Sequence, residues 1–240
     1  MILKQLLLGF VLFFTVSVMS QWAIAEDIDS IPHRLADRFV ITHQVADSTE
    51  FPALPLIKTA LLGYELLIEE RCISRPEVIT IIDFSLPSDK ERLWVLDLVQ
   101  GKVLFHCLVS HGRNSGELMA ENFSNIPGSY ASSPGFYTTG ETYIGKHGLS
   151  LTLDGRELGI NDKARIRTIV MHGADYVSAD FIRKYGRLGR SFGCPAVPEE
   201  LSKEIIQTIK GGSCLFIYIP KTSYTSNSQI LRKITSITKG

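Results

Sequence analysis

Charge of neither sign is in excess. The 240 residues carry 25 Lys and Arg against 25 Asp and Glu. That balance gives a polyanion little to bind, which argues against nucleic acid as a partner and against a polybasic contact with lipid. Cysteine is scarce too, with four residues, Cys72, Cys107, Cys194 and Cys214. Their spacing contains no paired C-x-x-C of the kind that holds zinc. Past the N-terminal segment no stretch approaches the roughly 20 apolar residues of a membrane span. There is no internal repeat. What remains is a chain of about one domain's length, enough to bury a sizeable core.

The start of the chain reads as an address. Met1 to Lys4 is short and positively charged, Leu6 to Val18 is almost wholly apolar, and Ala23-Ile24-Ala25 is a small-x-small cleavage site followed by acidic Glu26 and Asp27. This is the layout of a secretory signal peptide over residues 1–25. It predicts export to the periplasm or cell envelope, with no transmembrane span in the mature chain. The first cysteine is Cys72, far from the cleavage point, which excludes a lipid anchor there. An oxidising compartment permits disulfides. If one cysteine is a catalytic thiol, three remain and at most one disulfide can form.

Residues 26–76 read as an N-terminal helical region. Within it Pro52 to Glu70 has Leu54, Ile57 and Leu61 at helical spacing and its prolines near the start, where they are tolerated. Residues 77–220 read as the main domain. Strands are expected over Glu77–Phe84, Arg92–Val99, Val103–Ser110, Gly135–Thr139, Gly148–Leu153, Thr168–Met171 and Ser213–Pro220. Gln100-Gly101 marks a tight hairpin turn. Glu199–Lys210 reads as a helix, opened by Pro198 and two acidic residues and closed by Lys210-Gly211. Gly112 to Gly135 is rich in Gly, Ser, Asn and Pro and has no periodicity; a long loop in a compact domain is usually functional, and this one is expected to border a site. The tail, residues 221–240, is polar and expected to be loose. The fold class is mainly β with flanking helices, α+β overall.

The chemistry concentrates in two segments, Val170-Met171-His172-Gly173-Ala174-Asp175 and Gly189-Arg190-Ser191-Phe192-Gly193-Cys194-Pro195. A strand delivers His172 to its end, and Cys194 sits in a Gly- and Pro-bounded loop that runs into a helix. A thiol is a good nucleophile as thiolate, and a nearby His takes its proton. Gly193 frees the backbone before Cys194, and the Gly193 and Cys194 amides are candidate donors to an oxyanion. Arg190 adds positive charge suited to a thiolate or a substrate carboxylate. A buried structural Cys beside an unrelated His is the competing reading, and the loop context of Cys194 weighs against it.

These segments resemble the catalytic motif of the L,D-transpeptidases, the YkuD-like enzymes, and within them the murein L,D-transpeptidase catalytic domain proteins. Further stretches extend the resemblance over roughly Leu54 to Pro220: Val109-Ser110-His111-Gly112, Phe123-Ser124-Asn125, Ser132 to Tyr137, and Tyr143 to Leu151. The resemblance implies a β-sandwich fold and an attack by Cys194 on the diaminopimelate–D-Ala bond of a peptidoglycan stem peptide. A thioester follows, then transfer to an amine of another stem, with His172 moving the protons. It implies that the carbonyl of Gly173 holds the other ring nitrogen of His172, that carbapenem-type compounds acylate the enzyme, and that neither metal nor cofactor is needed. The chain departs from the commoner motif at Phe192, where the family has His, and at Ala196, where it has Arg.

The remaining candidates keep two readings each. His111 and His147 each precede a glycine, as substrate contacts or as structural residues. Ser191 positions the Cys loop or donates to substrate, and Asp175 orients His172 or serves its loop. A hydrolase on the same scaffold and a wall-binding module with a spent site stand as alternatives to a transferase.

Overall fold

The computed structural model describes residues 51–237. The signal-peptide reading and the first half of the expected N-terminal helical region lie outside the described residues. Helix α1, Leu54–Glu69, carries Pro55 in its first turn and is buried on nearly every face, from Leu56 through Leu67. It lies against strands β1 (Val78–Asp83) and β8 (Cys214–Tyr218). Gly63 makes this approach possible, since a Cβ there would sit 2.0 Å from the Phe136 ring. α1 therefore shares the core of the domain rather than standing apart from it.

Eight strands form one mixed sheet in the order β3-β2-β1-β8-β4-β5-β6-β7. β2 (Leu93–Asp97) and β3 (Lys102–Cys107) are antiparallel neighbours joined through Gly101, which has φ 64. β4 (Gly135–Gly145) and β5 (Gly148–Gly155) form a long hairpin, turned by Lys146-His147. β6 (Val170–Ala174) and β7 (Ala196–Pro198) run parallel, as do β1 and β8. β8 reads as an unbroken apolar run, and β1 as one interrupted by Thr80 and closed by Asp83, because both faces are covered. Beyond β3 the chain bridges from Ser110 to Ala196 and from Gly112 to Ser191. The two edges of the sheet thereby meet, and the structure is a nearly closed, mainly β barrel or sandwich with flanking helices.

Helix α3 (Glu199–Ile209) packs across β6. Several elements differ from expectation: β4 runs on to Gly145 past the expected end at Thr139, the short strand β7 was not expected, and three more differ. A short helix α2, Ala179–Tyr185, is capped by Ser178, whose hydroxyl accepts from the Phe181 amide, and ends at left-handed Gly186. Its sequence carried those caps, but no residue of it is buried, so no apolar period announced it. β6 begins two residues later than expected because Thr168 takes a left-handed turn with φ 52. The tail is not loose over its described part. It forms α4 (Thr222–Asn227) and α5 (Gln229–Ile237), with Tyr224, Ile230 and Leu231 buried. Its anchor is Glu157, a fully buried carboxylate that accepts from Tyr224 Oη at 3.1 Å, from Ser228 Oγ and from the Phe136 amide at 2.8 Å. No helix among the described residues is long and apolar enough to cross a membrane.

Candidate active site

The closure of the sheet brings three segments together: the middle of β6 at His172, the loop 189–195 and the β4–β5 hairpin tip. They line a cavity of about 380 Å³, whose walls include His172, Cys194, His147, Arg167, Arg190 and Phe192. Among the described residues no cluster of His, Cys, Asp or Glu is placed to hold a metal ion.

β6 presents His172 through register with Ser150 of β5 on one side and Ala196 of β7 on the other. Its Nδ1–H donates to the carbonyl of Gly173 at 2.8 Å. That bond assigns the neutral tautomer and leaves Nε2 with a bare lone pair. Burial lowers the pKa of His172, the Gly173 carbonyl opposes this, and a charge on His147 lowers it further. The two imidazoles stack with centroids 4.6 Å apart. Position 173 is glycine because α3 crosses it: a Cβ would lie 2.7 Å from Ser202 Oγ and 3.2 Å from Glu199 Cα.

Cys194 is half-buried, and its thiol donates to the Thr168 carbonyl at 3.7 Å. A positive φ is costly for a β-branched residue, so strain sits directly against the thiol. Burial raises the pKa of Cys194, and a backbone hydrogen bond from Val170 and the charge of Arg167 oppose it. With the thiol shifted up and the imidazole shifted down, the resting pair is neutral thiol and neutral imidazole. The arrangement suits proton transfer during a reaction rather than a standing thiolate.

The loop before the nucleophile is tied from within. Ser191 Oγ donates to the Cys194 carbonyl at 2.6 Å and accepts from the Gly193 amide at 3.0 Å. One expectation changes here, and of the two readings of Ser191 the geometry fits one. Ser191 serves the loop. The Gly193 N–H, expected as an oxyanion donor, is already taken by Ser191, which leaves the Cys194 N–H as the donor this loop can offer. Gly193 itself has φ 121, and its carbonyl accepts from Ser132 Oγ at 3.1 Å. The ordered loop 112–134 therefore borders the site from below.

Arg190 lines the cavity but is engaged elsewhere. Its Nη1 donates to Glu117 Oε1 at 2.6 Å and to the carbonyls of Gly116 at 3.0 Å and Arg113 at 3.2 Å. Its charge is met by Glu117, which argues against its expected role as a carboxylate receptor. His111 lies outside the cavity wall and is 1% exposed. Its Nδ1 accepts from Arg92 Nη2 at 2.8 Å and its Nε2–H donates to the Gly116 carbonyl at 3.3 Å. This is a structural position rather than a substrate contact, because no ring nitrogen is left. His147, exposed on the hairpin tip, does face the cavity. Asp175 is exposed and makes no hydrogen bond to His172. All four cysteines are free; burial pushes Cys107 up to about 12 and raises Cys214 as well.

Arg167 carries charge into the site and was not singled out from sequence. Its guanidinium donates to the Ser124 carbonyl at 2.6 Å, to Ser133 Oγ at 3.1 Å, to Ser129 Oγ at 3.3 Å and to the Ala131 carbonyl. It lies against Gly193, where a Cβ would come within 3.2 Å of Nη2. The available signal was an arginine immediately before a buried strand, which a solvated basic residue would have matched equally well.

The sequence model of a family described as the L,D-transpeptidase catalytic domain matches residues 53–218. No curated protein matches the chain. Among solved structures the chain is similar to an L,D-transpeptidase from Mycobacterium smegmatis, at 12% identity over 60% of this chain and 59% of that one, with TM-score 0.38. It is similar to the helical cell shape determining protein Pgp2 from Campylobacter jejuni, at 15% identity over 66% and 54%, TM-score 0.39. It is also similar to L,D-transpeptidase 3 from Mycobacterium tuberculosis, solved with a faropenem-derived adduct, at 12% identity over 60% of each chain, TM-score 0.40. The chain spans less than two thirds of the length of each of these three proteins.

Proposed function

Because the chain belongs to the L,D-transpeptidase catalytic domain family, we propose that it is a cysteine-dependent acyltransferase acting on peptidoglycan stem peptides. One observation carries the reading. Cys194 and His172 line the same cavity, and the Gly173 carbonyl fixes the His172 tautomer with Nε2 free. No third carboxylate or carboxamide is needed to orient this imidazole, because its own strand does so.

In this mechanism His172 Nε2 takes the Cys194 proton as sulfur attacks the carbonyl of the diaminopimelate–D-Ala bond. The developing oxyanion meets the Cys194 amide. The C–N bond breaks, the same proton passes from His172 to the departing D-Ala nitrogen, and a thioester remains. An amine of a second stem then attacks, giving its proton to His172, and the thiolate leaves and is reprotonated. Arg167 favours the anionic sulfur at both ends of the cycle. A strained β-lactam amide would enter the same path and stay on sulfur, so carbapenems are expected to acylate Cys194. The signal-peptide layout of residues 1–25 supports a place of action in the periplasm or cell envelope.

The test is incubation with a disaccharide-tetrapeptide, with chromatography of the products and intact-mass analysis after carbapenem treatment. D-Ala release with dimer formation, and an adduct on the wild type but not on Cys194→Ala, are the expected results. Tripeptide alone would make the enzyme a hydrolase. An adduct on both proteins, or full turnover by folded Cys194→Ala, would move the nucleophile elsewhere.

A further inference from the structure

The arginines around the cavity differ in what their N–H groups already hold. Arg167 is surrounded by carbonyls and hydroxyls. Arg190 and Arg187 both pair with Glu117, at 2.6 and 2.8 Å. Arg113 is different. Its guanidinium lies over the faces of Tyr130 and Phe192, 5.8 and 5.7 Å from their centroids. Among the described residues its side chain makes no hydrogen bond and no ion pair. A ring face holds a cation by its quadrupole and leaves the N–H fork unused. The result is an oriented guanidinium whose donors are open to solvent.

The cluster is built onto the nucleophile loop. The Arg113 amide donates to the Ser191 carbonyl at 2.8 Å, and the Asn114 amide to the Tyr130 carbonyl at 3.1 Å. Tyr130 and Phe192 pack with centroids 4.7 Å apart, yet they are 44% and 63% exposed. Two large aromatic side chains left in water beside an unpaired cation are not explained by packing of the domain. Phe192 also forms part of the cavity wall, so the guanidinium lies against a residue that lines the site.

We propose that Arg113, held by Tyr130 and Phe192, is the receptor for a free carboxylate of the acyl-donor peptide. This rests on the acyl-transfer reading of the cavity, and it gives Arg113 the task that Arg190 was expected to perform. A planar fork accepts a carboxylate through two parallel bonds. The chemistry selects an anionic donor stem over one whose carboxylates are amidated.

The experiment compares tetrapeptide stems with free carboxylates against stems in which one carboxylate at a time is converted to its amide. Binding is measured by calorimetry on the full chain carrying Cys194→Ala, with and without Arg113→Gln or Arg113→Lys. D-Ala release is followed in the otherwise wild-type enzyme. Amidation of the recognised carboxylate should weaken binding about ten- to a hundredfold, and Arg113→Gln should do the same on the free stem. The two losses should not add. In turnover the loss should fall on KM with kcat unchanged, and Arg113→Lys should recover it only in part. The proposal is overturned if Arg113→Gln binds every stem as its parent does, if it loses equally on free and amidated stems, or if the parent binds none of them. If binding discriminates in this way while the wild type releases no D-Ala, the receptor stands and the acyl-transfer reading falls. The wild-type comparison of stems tests carboxylate recognition without any substitution, and a melting temperature and circular dichroism spectrum of Arg113→Gln and Arg113→Lys equal to the parent's are required before their binding is read.

Discussion

Two segments of this protein carry the same dipeptide, His111-Gly112 beyond β3 and His172-Gly173 within β6, and both imidazoles are buried, at 1% and 3% exposure. They come to opposite uses. His172 satisfies one nitrogen with the carbonyl of the next residue and turns the other to the cavity. His111 has both nitrogens occupied, one by the buried guanidinium of Arg92 and one by the Gly116 carbonyl. Burial does not distinguish the proposed base from a scaffold histidine here. The number of ring nitrogens left without a partner does.

The largest effect expected from breaking this contrast is at His172. His172→Ala should slow acylation by about a hundredfold or more, since the thiol loses its base, while the melting temperature changes little. Burial holds the Cys194 thiol above the ordinary range, so partial recovery should appear only as pH rises into the alkaline region where thiolate forms unaided. A defect that stays constant with pH would make His172 structural.

His111→Ala should act on stability instead. Arg92 is fully buried, and its remaining donors are directed at the carbonyls of Val109 and Leu86. Removing the ring leaves one donor of a buried cation unmet and a void beside it, a loss of about 2–4 kcal/mol in denaturant unfolding. The wild type should also show a pH signature. Burial, and then Arg92, push His111 down to about 4 from 6.5. Between those values the unfolded state binds the extra proton, so stability falls as pH drops from about 6.5 to about 4 and is flat with respect to this group above that. His172 is shifted the same way and adds to the slope below 6.5. His111→Asn should shrink the slope. Equal slopes in both proteins would show that His111 is not held neutral.

The smallest effects separate the two glycines. A Cβ at Gly112 would meet backbone on three sides, the Tyr130 oxygen at 2.6 Å and the Gly193 Cα and Ser132 nitrogen at 2.9 Å. At Gly173 the nearest obstacles are the side-chain atoms of Ser202 at 2.7 and 2.8 Å. Overpacking costs about 1–3 kcal/mol, and Gly112→Ala should fall at the upper end and Gly173→Ala at the lower. The reverse order in thermal melts would mean that α3 is less able to shift than the loop.

The parts legible from sequence were those whose causes lie within a few residues. The mainly apolar runs of β1 and β8, the Gln100-Gly101 turn between β2 and β3, and the strand leading to His172 all follow from local pattern. The hydrogen bond to Gly173 was expected from the family resemblance alone. The misread residues depend on partners far along the chain. Arg190 looked available because Glu117 lies more than seventy residues before it in sequence. Gly193 looked like an oxyanion donor because nothing in the loop's composition says that the Ser191 hydroxyl turns back to its amide. The tail looked loose because its few apolar residues are spread among polar ones, and the carboxylate that fastens Tyr224 and Ser228 belongs to Glu157.

Sequence by itself pointed to the two groups on which the proposed chemistry rests: a thiol in a glycine-bounded loop and an imidazole beside a glycine on a strand, each set by residue type and near neighbours. Only the tertiary structure decided which charges and donors remain free around them. A guanidinium or amide is available to a substrate when nothing else has taken it. That depends on which chain segments meet when the two edges of the sheet close at Ser110–Ala196 and Gly112–Ser191. Hydrogen-bond competition acts over ångströms in space and is indifferent to distance along the chain.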